Sequence, residues 1–79
     1  MPPEDLERHL NARPFVPFRI KLTTGETYDV RHPELVMVGR RSVIVGITHD
    51  PIPRYERAVT VALVHIVRLE PLEAASASS

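Results

Sequence analysis

Residues Pro17 to Ile47 read PFRIKLTTGETYDVRHPELVMVGRRSVIVGI, and the fold is decided by how this stretch alternates and where it is interrupted. From Phe18 to Leu22 apolar and basic side chains alternate strictly, the period-two pattern of a strand with one face on a core and the other in water. Phe18, Ile20 and Leu22 are then inward, and Arg19 and Lys21 outward. Gly25 falls where a short hairpin needs positive φ. The chain returns through Thr27, Tyr28, Asp29, Val30, Arg31 and His32, with Tyr28 and Val30 inward.

Pro33 has no N–H to give a ladder and restricts His32 to extended backbone, so the second strand is expected to bend or bulge there and resume through Leu35, Val36, Met37 and Val38. That resumed run is apolar on both faces, which implies packing against something outside the domain. The segment from Gly39 to Ser42 is the second turn. Val43, Ile44 and Val45 open a β-branched third strand, with Gly46 at a sharp bend.

Working outward, Leu6 and Leu10 are four apart, with acids before them and Arg13 after, which predicts a short amphipathic helix over about 3–13, ended by Pro14. So short a helix is unstable alone and must dock its leucines on the sheet, pinned by Phe15 and Phe18. Downstream, the two prolines of HDPIPRYE mark a loop. Val59, Val61 and Leu63 alternate inward in a fourth strand, and a break at Val64 and His65 precedes a short fifth. The expected strands are about 17–22, 26–38, 42–48, 57–63 and 66–70, in one domain over 1–71 with a disordered tail over 72–79. The fold class is mainly β, a five-stranded antiparallel barrel closed over Phe18, Ile20, Leu22, Val30, Val45, Val61 and Leu69.

Size and charge narrow the function classes. A chain of 79 residues buries only about 60% of its unfolded surface. It has no cysteine and no metal-ligand spacing, so a tight barrel or association between copies must supply the remaining stability. Ten Lys and Arg balance ten Asp and Glu, which argues against nucleic-acid binding through an extended basic surface but leaves a local arginine ring open. No apolar run approaches the ~20 residues of a membrane-spanning helix, and the first residues lack a signal-peptide apolar core. A soluble cytoplasmic protein is expected.

The order of helix, three-strand meander with a long bent middle strand, fourth strand, one-turn break and short fifth strand resembles the Sm-like family, a small barrel also found in Src-homology-3-like domains. The segment FRIKLTTGETYDV is similar to the first Sm motif, with Gly25 at its turn. RPFVPFRI, followed by HPE, also resembles a group of short bacterial proteins of no assigned activity that open with a helix. The resemblance implies self-assembly through strand edges into a ring or a smaller homo-oligomer. The family's base-holding residues are not matched: Val36, Gly39, Arg40, Ala62 and Leu63 stand at their positions. Arg40, Arg41 and His65 occupy the equivalent loops.

Two functional readings follow. In the first the domain is non-enzymatic and its partner is another copy of itself; the charge-poor outer positions Ala58, Thr60 and Ala62, with Val67 on the last strand, form the interface. In the second it is an RNA-binding regulator, with Arg40, Arg41 and His65 lining a pore and Arg19, Lys21 and Arg31 forming an outer basic stripe. A monomeric adaptor gripping a peptide between HDPIPRYE and GRRS is a third, without an aromatic groove to support it. No catalytic residue, cofactor or metal site is expected. His49 and Asp50 share only two letters with phosphohydrolase dyads, Ser42 lacks a nucleophile elbow, and His65 is expected to bond a backbone group through a ring nitrogen.

Overall fold

A computed structural model describes residues 1–48 and 55–72. Helix α1 spans Pro3–Leu10. Proline suits its first position, where no N–H partner is needed. Glu4 and Asp5 lie at its positive end, and Arg8 and His9 at its negative end. It stops earlier than the sequence suggests: Asn11 caps it, donating its N–H to the Glu7 carbonyl at 2.9 Å. Leu6 is fully buried and Leu10 half-buried.

Six strands follow: β1 (Phe18–Leu22), β2 (Thr27–Val30), β3 (Val36–Val38), β4 (Ser42–Thr48), β5 (Tyr55–Ala62) and β6 (Ile66–Pro71). They form two three-stranded antiparallel sheets, in the orders β2-β1-β6 and β3-β4-β5. The five-stranded closed barrel expected from the sequence is thereby corrected in two respects. The long middle strand is divided into β2 and β3, and among the described residues no ladder joins one sheet to the other.

The physical reason for the division is Pro33. A 3₁₀ turn over Pro33–Leu35, closed by the Leu35 N–H on the His32 carbonyl at 3.0 Å, replaces the ladder that proline cannot join. The chain leaves it re-aimed, and β3 pairs with β4 through Val36 with Val45 and Met37 with Ile44.

The first hairpin is tight. Gly25 has φ +94, and its N–H donates to the Leu22 carbonyl at 3.0 Å while the Leu22 N–H donates to Glu26 at 2.9 Å. At the second turn the Gly39 N–H donates to the Ser42 carbonyl at 2.8 Å. A Cβ on Gly39 would stand 3.1 Å from that oxygen, a tight contact that a larger residue could make only if the turn gave by a few tenths of an ångström.

The core lies between the sheets and under α1. Phe18, Ile20, Leu22, Val30, Val45 and Val61 are buried as the alternation requires, joined by Leu6, Val43, Leu63 and Ile66, while Leu69 is only partly buried. Phe18 meets the helix through the edge of His9, with ring centroids 5.4 Å apart, and meets Phe15 at 6.1 Å. Leu72 continues the chain past β6, its N–H bound to the Pro17 carbonyl at 2.8 Å. The loop residues 49–54, which include His49 and Asp50, and the expected tail from 73 onward lie outside the described residues. No helix among the described residues is long and apolar enough to cross a membrane.

Candidate functional site

The residues singled out in the sequence fall into three places. Arg40 and Arg41 are exposed in the turn between β3 and β4, and His65 is exposed at the end of a 3₁₀ turn over Leu63–His65. Backbone hydrogen bonds bring these together. The Leu63 N–H donates to the Arg41 carbonyl at 2.9 Å, and the Thr23 N–H donates to the His65 carbonyl at 2.9 Å. The Met1 ammonium also reaches the Leu63 carbonyl, at 3.1 Å. One end of the molecule therefore carries the Arg40–Arg41 turn, the Leu63–His65 turn and the amino terminus, with the two arginines and His65 exposed. His65 acts through its carbonyl and not, as expected, through its ring, which has no hydrogen bond among the described residues.

The second place is the outer face of the β2-β1-β6 sheet. Alternation puts Arg19, Lys21 and Arg31 there, but with carboxylates beside them. Arg19 donates from Nε to Asp29 at 2.8 Å and from a terminal nitrogen at 3.4 Å. Arg31 stands 4.0 Å from the same carboxylate. The hydrogen bond and charge of Asp29 raise the pKa of Arg19 still further. On β6, Arg68 pairs with Glu70 at 2.6 Å. The stripe is thus a lattice of opposite charges rather than a basic track.

The third place is β5. Ala58 and Thr60 are exposed and Ala62 is half-buried, all facing away from the core. Across β4 they continue into Ile44, paired with Thr60, and then Met37, paired with Ile44. Met37 is 65% exposed and Ile44 37%, while Val67 on β6 is 53% exposed. Glu34, Leu35, Met37, Ile44, Gly46 and Ala58 line a shallow depression of about 210 Å³ on this face. Met37 is the exposed side of the run that is apolar on both faces.

Two features were not anticipated. A groove of about 420 Å³ between α1 and the Pro33 turn carries Glu7 and Glu34 above Leu10, Val36 and Val38. A cleft of about 410 Å³ opens between the sheets and is lined by Arg19, Arg31, His32 and Arg57, among others. The signal for Arg57 was present, since it has the parity of inward Val59 and Val61. No group of three or more His, Cys, Asp or Glu is placed to hold a metal ion among the described residues. No protein-family model matches the chain, and searches of curated proteins and of solved structures likewise give no match.

Proposed function

We propose that this chain is a non-enzymatic domain of Sm-like organisation that assembles with copies of itself through strand edges, into a ring or a smaller homo-oligomer. One observation carries the reading: among the described residues β5 pairs only with β4, and β6 only with β1, so each sheet ends on an open strand. Open edges present rows of N–H and C=O groups that invite pairing with another chain. Placing β5 of one copy against β6 of the next satisfies both rows. It also brings the charge-poor positions Ala58, Thr60 and Ala62 toward exposed Val67. Counting β2 and β3 as one interrupted strand, the pairing order follows that of an Sm-like meander. Assembly would further offset the small core of so short a chain.

The test is the mass in solution. Light scattering should give a multiple of 8.9 kDa, and Thr60→Lys combined with Val67→Asp should lower it. A monomer whose mass does not change with concentration into the micromolar range removes the reading.

A second reading, an RNA-binding regulator, has its own support in the gathering of Arg40, Arg41 and His65 at one end. Single-stranded A-rich or U-rich RNA should then bind at ~50 mM salt, where phosphate contacts are least screened. Affinity should fall steeply with added salt and with Arg40→Ala plus Arg41→Ala. The paired arginines on the outer sheet face should contribute little.

A further inference from the structure

The cleft between the sheets exists because the ladder is broken at Pro33. β2 ends at Val30, and β3 pairs with β4 no further along than Val36 with Val45, so among the described residues Gly46, Ile47 and Thr48 have a neighbouring strand only on the β5 side. Facing them is the open edge of β2. The Leu22 N–H is bonded to Glu26. Counting by twos along the register therefore makes Ile20 with Tyr28, and Phe18 with Val30, the hydrogen-bonded pairs. The peptide groups of Thr27 and Asp29 then turn away from β1, toward the cleft.

The chemistry of the lining is uneven. Arg19, Arg31, Arg57 and His32 supply cationic or polar groups, and Asp29 is the one carboxylate among the described lining residues. Among the described residues Arg19 is answered by Asp29, with Glu70 also acting on it, and Glu34 stands 4.0 Å from His32, so the positive excess falls on Arg31 and Arg57. Arg19 is engaged by Asp29 at 2.8 Å, whereas Arg31 comes no closer than 4.0 Å. The Arg57 side chain has no ion pair or hydrogen bond among the described residues. Below the polar groups, Val30 and Val45 are buried and Val36 and Ile47 half-buried, an apolar floor.

The complement of such a cleft has a doubly charged head and an apolar body. A phosphate monoester carries about −1.5 to −2 near neutral pH, and its oxygens suit the planar fork of a guanidinium. A carboxylate brings a single charge and leaves one guanidinium unanswered. We propose that this cleft binds a small phosphate monoester with an apolar or aromatic body, the phosphate between Arg31, just past the end of β2, and Arg57 on β5. The site lies at the opposite end of β4 from Arg40 and Arg41, and it does not depend on either functional reading above.

Phenyl phosphate titrated into the full-length, ¹⁵N-labelled chain tests this, with benzoate and inorganic phosphate in parallel. Saturable amide shifts are expected at Arg31, His32, Ile47 and Arg57, with phenyl phosphate binding more tightly than either control. Charge-assisted hydrogen bonds are worth enough that Arg57→Gln should weaken binding roughly tenfold. Arg40→Gln plus Arg41→Gln should leave it unchanged. Absence of saturable shifts, shifts centred on Arg40, Arg41 and His65, equal affinity for benzoate or inorganic phosphate, or an unaffected Arg57→Gln variant overturns the site. Should Arg57→Gln fail to fold, Arg31→Gln carries the same expectation, and the wild-type shift map decides alone.

Discussion

On the outer face of the β2-β1-β6 sheet, Arg19, Arg31 and Asp29 share one charge cluster and Arg68 pairs with Glu70. On the outer face of the β3-β4-β5 sheet, Met37, Ile44, Ala58 and Thr60 form a continuous uncharged surface. Both faces obey the same alternation, and both look away from the same core. The first pairs Arg19 and Arg68 with carboxylates of its own and leaves its remaining charge to water or to a ligand. The second leaves apolar area exposed, which water covers poorly. The contrast is one of readiness to associate more than of stability, because exposed ion pairs contribute little to folding.

Three substitutions can break or sharpen this contrast. The largest effect should come from beneath both faces. Ile20→Ala removes a fully buried side chain and should cost about 2–5 kcal/mol in urea unfolding. A smaller loss would mean that the sheets do not share one interior. Next, Ile44→Thr on the uncharged face should cost roughly 0.2–1 kcal/mol, the scale of a cross-strand side-chain pair. A loss comparable with that of Ile20→Ala would show the face already covered by another copy, with an unfolding midpoint that depends on protein concentration.

Smallest should be Asp29→Asn on the charged face, a slight drop in the unfolding midpoint that vanishes in high salt. Its pH dependence has a definite sign. Arg19 has a pKa raised by its hydrogen bond to Asp29 and that residue's charge, so the part of the pair's contribution that depends on the Arg19 charge is unchanged up to the ordinary arginine range and is lost only as pH climbs through the raised value. Between pH 6 and 9 the Arg19 contribution should therefore be flat; a slope there from loss of the Arg19 charge would contradict the pairing.

Much of this architecture is local enough to be written in the sequence. The alternation of Phe18 to Leu22 became a strand with every second residue buried, Gly25 took the positive φ its hairpin requires, and Leu6 found the core. Pro33 was legible as an interruption. Its consequence was not, because whether β2 and β4 remain paired depends on register between residues far apart in the chain. The cleft followed from that long-range result and stayed hidden with it. Of the candidate residues, Arg40, Arg41 and His65 do share one end, a proximity created by backbone bonds that no side-chain pattern announces. The arginines of the outer stripe were placed on the correct face, but their partners lie on neighbouring strands. Asp29 sits opposite Arg19 only once β1 and β2 are in register.

The three-residue turn from Leu63 to His65 holds the second turn through Arg41 and the first hairpin through Thr23. Among the described residues the sheets exchange no rungs, yet each is fastened to this one short clasp. Prising either half apart strains the same few peptides, so the domain should breathe as a single unit. Deuterium should enter the Thr23 and Leu63 amides at matching rates, however unlike the two halves look from outside.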